Sequence, residues 1–100
     1  MKMDNALRMV GIATKAGRTA SGEFMTENAI KSGKAALVVL AGDASDNTKK
    51  KFKNMCEFYD VPIRIYSTKD ELGHAMGKEF RASMAVTDEG LAQTIMKKMD

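Results

Sequence analysis

Tryptophan is absent from this chain, and cysteine, histidine and proline each occur once. A lone cysteine, Cys56, excludes an intrachain disulfide and a thiolate cluster for zinc. A lone histidine, His74, excludes a histidine-based metal site within one chain. Aromatic residues make up only 6%, which argues against stacking on a single nucleic-acid strand. A core must then come from Leu, Ile, Val, Ala and nine Met, and Met fills gaps while specifying packing weakly. Neither G-x-G-x-x-G nor G-x-x-x-x-G-K-[ST] occurs, so nucleotide binding has no specific support. No run approaches the roughly 18 apolar residues of a membrane span. The opening MKMDNALRMVG lacks the apolar centre of a signal peptide. A cytoplasmic protein without a membrane partner is expected. No internal repeat, low-complexity tract or linker is visible.

What is present fits one small globular domain. The 100 residues are 44% apolar and 29% charged, close to a globular average. Sixteen basic against thirteen acidic residues leave a net charge of +3, which permits a polyanionic partner without demanding one.

Apolar spacing predicts alternating helices and strands. Residues 4–15 read as a helix with Leu7, Val10, Gly11 and Thr14 on one face and Ala6, Met9 and Ala13 widening it. Gly11 weakens a helix, so a close approach by another element is expected there. Gly17 suits a left-handed cap, and residues 18–21 form a brief strand. A second helix starts at Ser21 or Gly22, buries Met25, Ala29 and Ile30, and stops at Gly33. The run AALVVLA, residues 35–41, has no polar alternation and suits a strand covered on both faces. Ser45 caps a third helix, whose apolar stripe is Phe52, Met55, Cys56 and Tyr59. VPIRIY, residues 61–66, reads as a strand. Ser67 begins a fourth helix with Asp70 as its capping-box partner, Leu72, Ala75 and Met76 inside, and Gly77 at its close. Residues 82–86 form the last strand. Thr87 or Asp88 caps a fifth helix held by Leu91, Ile95 and Met99. The expected fold class is α/β: a three-layer α/β/α sandwich around a small mixed central sheet.

Catalytic machinery is thin. His74 falls on the polar side of the fourth helix near Asp70 and Glu71, and Cys56 on an apolar face. A solvated histidine and a buried thiol are the plainer readings. Residues 42–48 could hold a phosphate at a helix start, but an ordinary capped turn is favoured. Lys49, Lys50 and Lys51 form a charge run of the kind that usually faces solvent. With Lys15, Arg18, Lys31 and Lys34 they could grip a nucleic-acid backbone. Folded RNA shape is the more natural target. These features alone place RNA binding only slightly above a protein-binding or uncharged-ligand reading.

Four segments carry a resemblance: GIATKAGRTASGE (residues 11–23), AIKSGKAALVVLAGDASDNTKKK (29–51), YDVPI (59–63) and KDELGHAMGKE (69–79). Together they resemble the kink-turn-binding archaeal and eukaryotic large-subunit ribosomal protein superfamily, of pelota-type RNA-binding fold, and its small bacterial YlxQ-like branch. The resemblance spans nearly the whole chain in the same order. It implies residues 1–100 as a single RNA-binding, ribosomal-protein-like domain with no catalysis and no cofactor. Its implied partner is structured RNA, ribosomal or another kink-turn RNA. Ribosome-associated proteins are further partners, and the free protein is a monomer. The implied RNA face comprises residues 22–28, holding Gly22, Glu23, Met25, Thr26 and Asn28, and residues 80–83, holding Arg81, Ala82 and Ser83. Gly22 matches the family's turn glycine, and Ala82 its small loop residue against which an extruded base packs. Met25 and Asn28 depart from the family: strong binders carry a guanine-reading polar or acidic side chain and a lysine there. This implies weaker or altered RNA binding, with contact moved toward Arg18, Lys31, Arg81 and Lys49. Glu23 would repel phosphate unless it pairs with Arg18 or reads a base donor. The alternative is a protein-interaction module that keeps the fold with weak or no RNA affinity.

Overall fold

The apolar run is the second strand of a four-stranded sheet. The computed structural model describes residues 3–100. It has strands β1 (Thr19–Ser21), β2 (Leu37–Leu40), β3 (Ile63–Ile65) and β4 (Ser83–Val86), and helices α1 (Asn5–Lys15), α2 (Glu23–Lys31), α3 (Asp46–Tyr59), α4 (Lys69–Ala75) and α5 (Glu89–Met99). The strand order is β1-β4-β2-β3. β4 runs antiparallel to both β1 and β2, while β3 is parallel to β2, so the sheet is mixed.

Alternate strand residues feed two separate cores, as the two-residue period of a strand dictates. Leu37, Val39, Met84 and Val86 pack with Leu7, Val10, Leu72 and Ile95 from α1, α4 and α5. Val38, Leu40 and Ala85 pack with Ile30, Phe52 and Cys56 from α2 and α3. This explains why β2 has no polar position: neither of its faces meets water. The result is the three-layer α/β/α sandwich with a mixed sheet expected from the pattern.

Helix ends follow their caps. Asp4 caps α1 rather than beginning it, accepting from the Leu7 N–H at 2.8 Å. Ser45 and Asp88 cap α3 and α5 as expected. α4 differs: its cap is Thr68, which accepts from the Glu71 N–H at 3.1 Å. Ser67, expected in that role, has a left-handed backbone with φ of 64° and donates its hydroxyl to Glu71 Oε1. The acidic residue three places after the cap is therefore Glu71 and not Asp70, and its carboxylate accepts from the Ser67 and Thr68 hydroxyls. Gly11 sits where a Cβ would stand 2.9 Å from the Ala75 carbonyl oxygen, the close approach between α1 and α4 that its position suggested.

Two buried stripes need correction. Met25 is 51% exposed, and Thr26 takes the inward place beside Ala29 and Ile30. The i, i+3, i+4 set that meets the sheet is 26, 29 and 30, and position 25 lies one step off it. Tyr59 is 41% exposed at the last residue of α3, beyond the part that Phe52 and Cys56 hold down.

Candidate nucleic-acid interface

β1 passes into α2 through a single glycine. Gly22 has φ of 89° and ψ of 164°. A side chain there would meet open space, so the requirement is conformational and not steric. Its N–H donates to the Ser83 carbonyl at 3.0 Å, and its own carbonyl accepts from the Thr26 N–H at 3.0 Å. No side chain caps α2, leaving the first N–H groups of the helix as free donors with the positive end of its dipole.

The second segment is folded back against α4. The Lys78 N–H donates to the Gly73 carbonyl at 2.8 Å, and the Arg81 N–H to the Lys69 carbonyl at 3.1 Å. Gly73 permits this: a Cβ there would come within 2.6 Å of the Glu79 carbonyl oxygen and 2.9 Å of Phe80 Cα. Arg81 then ties the two segments together. Its Nε donates to Ser21 Oγ at 3.0 Å and its Nη1 to the Phe80 carbonyl at 2.5 Å. The guanidinium is thus held at Nε and Nη1, with the Nη2 amino group as its other donor.

The structure thus joins residues 22–28 to residues 80–83, but it sorts the individual side chains. Glu23, Met25 and Asn28 are exposed, Gly22, Arg81 and Ala82 are half-buried, and Thr26 and Ser83 are buried. Thr26 and Ser83 lie under the surface: Ser83 acts through its carbonyl on Gly22, and Thr26 fills the α2–sheet core with its hydroxyl unpartnered. Arg18 is exposed but stands apart. Its carbonyl accepts from the Thr87 N–H, whereas Ser21 pairs with Met84 at the other end of β1. Lys31 closes α2, roughly 13 Å along the axis from Gly22, and lines a groove with Met25, Asn28 and Lys34.

Glu23 does not meet Arg18. It stands 3.6 Å from Lys51, and Glu27 lies 3.0 Å from both Lys31 and Lys51. These hydrogen bonds, from Lys31 first and then Lys51, hold the Glu27 carboxyl below the usual glutamate range. The bond to Glu27 raises the Lys51 ammonium in turn. Of the lysine run, Lys51 therefore neutralises the acidic side of α2. Lys49 donates to the Gly42 carbonyl at 2.7 Å. With Ser45 bonded to Thr48 and Asp43 accepting from the Lys69 N–H, residues 42–48 form a closed, capped turn.

Two features escaped sequence reasoning. Phe24 and Phe80 are 72% and 59% exposed, one on each joined segment. For Phe24 the signal was available: it shares a helical stripe with Asn28 and Lys31, opposite Ala29 and Ile30. For Phe80, which lies in a loop, none was. Among the described residues no group of three or more His, Cys, Asp and Glu could hold a metal ion, and no helix is long and apolar enough to cross a membrane.

The model of the ribosomal protein L7Ae/L30e/S12e/Gadd45 family matches residues 4–96. The RNA-binding protein YlxQ of Bacillus subtilis (strain 168) is 38% identical over 92 residues, covering 92% of each chain. The large ribosomal subunit protein eL30 of Methanopyrus kandleri is 31% identical over 103 residues, covering 98% of this chain and 94% of that protein. Among solved structures, a Bacillus halodurans C protein of unknown function superposes with a TM-score of 0.95 at 31% identity, covering 98% and 99% of the two chains. The Giardia lamblia 15.5kD RNA binding protein shares the fold, with a TM-score of 0.79 at 21% identity over 99% of this chain and 92% of that one. On this sequence and structural match, the chain belongs to the ribosomal protein L7Ae/L30e/S12e/Gadd45 family.

Proposed function

We propose that this chain is a non-catalytic, cytoplasmic RNA-binding protein that recognises a kink-turn or a related structured RNA in a ribosomal or translational setting. The observation that carries the reading is the junction of residues 22–28 with residues 80–83, through Gly22 on Ser83 and Arg81 on Ser21. It brings a bare helix start, a guanidinium held by Ser21 and a small residue, Ala82, onto two joined segments. Free N–H donors and a guanidinium suit phosphate and guanine edges. The name of the Bacillus subtilis relative supports RNA as the ligand, and that of the Methanopyrus kandleri relative supports the ribosomal setting. Arg18 and Lys31 extend the contact toward the far end of α2. Lys31 reaches phosphate by exchanging its exposed pair with Glu27, which is weak and screened. His74 is exposed, and burial pushes the Cys56 thiol up to about 11, so neither is prepared as a nucleophile. The free protein is a monomer of one domain, with ribosome-associated proteins as further partners.

A gel-shift titration with a kink-turn hairpin at several salt concentrations tests this. Binding should weaken as salt rises, with a log–log slope of about −2 to −3 for three phosphate contacts. It should be lost when the sheared G·A pairs are replaced. Equal affinity for bent and straight hairpins removes the kink-turn claim and leaves general RNA binding.

A second reading is a protein-interaction module that retains the fold. Met25 favours it, being exposed where guanine recognition needs a polar group. Absence of RNA binding even at low salt would select this reading.

A further inference from the structure

We propose that the groove between α1 and α4 docks an acidic amphipathic helix of a partner protein. The inference goes beyond the RNA-binding reading and does not rest on it. The groove has a volume of about 480 Å³, with Arg8, Gly11, Ile12 and Lys15 on the α1 side and His74 and Ala75 on the α4 side. It belongs to the layer across the sheet from α2, because α1 and α4 pack into one core and α2 and α3 into the other.

Helix geometry builds the groove. On α1 the buried arc is Ala6, Leu7, Val10 and Ala13, and 100° per residue puts Arg8, Ile12 and Lys15 opposite it. Their spacing is i, i+4, i+7, so one outward stripe reads cation, apolar, cation over about 10 Å of helix axis. Ile12 is 53% exposed. Gly11 lets α4 come close beside this stripe, since a Cβ there would stand only 2.9 Å from the Ala75 carbonyl oxygen. The centre of the groove is therefore apolar and its two ends are positive.

The charge argues for an acidic occupant. Among the described residues neither Arg8 nor Lys15 enters an ion pair, whereas Lys31, Lys51 and Arg64 each hold a carboxylate. Asp4, one turn before Arg8, is occupied by the Leu7 N–H and the Tyr66 hydroxyl. No described Asp or Glu lines the groove. Two unneutralised cations around an apolar centre match a helix with carboxylates at i and i+7 and leucine-like side chains at i+3 and i+4. His74 adds a ring N–H that donates to a carboxylate of the same helix. RNA fits less well: Gly11, Ile12 and Ala75 offer neither a flat face for a base nor a hydrogen-bonding side chain for its edge.

The test titrates the whole, isotope-labelled chain with a synthetic alanine-rich helical peptide carrying Glu at i and i+7 and Leu at i+3 and i+4. The peptide should shift the amide signals of residues 8–15 and 74–77 saturably and leave those of residues 23–28 in place. A peptide with Lys for both Glu should bind about tenfold more weakly, and one with Ala for both Leu about 5-fold more weakly. Arg8→Glu combined with Lys15→Glu should reverse the preference, so that the Lys peptide binds better than the Glu peptide. A loss of fold cannot produce that reversal. Ile12→Ser should weaken the Glu peptide about 5-fold and leave binding of the kink-turn hairpin unchanged. Equal binding of the Glu and Lys peptides overturns the proposal, as does the absence of shifts at about 1 mM peptide. If the hairpin shifts residues 8–15 and displaces the peptide, the groove belongs to nucleic acid and the proposal falls. It falls equally if the same signals move when the chain alone is concentrated, because the occupant is then a second copy.

Discussion

Asn28 is the residue where this chain's surface can be most simply changed. It is exposed on the outward stripe of α2, one turn from Phe24 and three residues before Lys31. The amide can donate and accept but carries no charge. Asn28→Lys adds a charge-assisted donor at the place where strong kink-turn binders carry lysine. Kink-turn affinity should rise by about tenfold, and the salt slope should steepen by about 0.9 for one added phosphate contact. A titration at two salt concentrations measures both. Unchanged affinity would mean that the outward stripe of α2 does not face the RNA.

Between elements, two contacts hold the site's supports. Asp4 makes the first and serves two elements at once: Oδ1 caps α1 through the Leu7 N–H, and Oδ2 accepts from the hydroxyl of Tyr66, just past β3. The bond to Asp4 is the main reason the Tyr66 phenol is pushed up to about 12, with burial adding to it. The folded chain therefore holds this proton more tightly than the unfolded one. The stability it contributes is fully present below pH 10 and is lost as pH rises from about 10 to 12. Urea unfolding at pH 8 and pH 11 should show a smaller loss in Tyr66→Phe than in the unaltered chain. The second contact is that of α4 with the loop after it. Gly73→Ala would drive a methyl group into the backbone of residues 79 and 80. Such overpacking should cost about 1–3 kcal/mol. It should also weaken RNA binding, because the displaced loop carries Phe80 and Arg81. A Gly73→Ala chain that unfolds earlier yet binds RNA normally would separate the loop from recognition.

At the scale of the molecule, RNA that binds only the folded chain should raise its thermal midpoint. At a free RNA concentration of 100 times Kd the gain is about 2.7 kcal/mol, or roughly 10–20 °C for a domain of this size. A thermal scan with and without the hairpin checks it, and a midpoint independent of RNA would contradict a site built from the native junction.

The parts of this architecture visible in advance were those written in local chemistry. The unbroken apolar character of β2, the Ser45 and Asp88 caps and the glycine before α2 all act within a few residues. Thr68 was missed because Ser67 offers the same hydroxyl, and only the backbone twist at Ser67 decides between them. Met25 reads as a core residue because apolar character alone does not distinguish a side chain that faces solvent from one that packs inside. Phe24 and Phe80 illustrate the same limit. The meeting of Arg81 with Ser21 depends on strand order, which no local signal carries.

That strand order has a consequence for how the protein becomes competent. β4 is the last strand to leave the ribosome, yet it lies between β1 and β2 and supplies the carbonyl that receives Gly22. Until residues 83–86 insert, β1 has no neighbour in the sheet, and Ser21 and Arg81 remain separated by most of the chain. Nascent chains shorter than this can form α1, α2 and α3 but cannot join residues 22–28 to residues 80–83. Closing so long a loop is slow compared with helix formation. Acquisition of RNA affinity should therefore coincide with completion of the sheet, so that chains ending before residue 83 should not bind RNA.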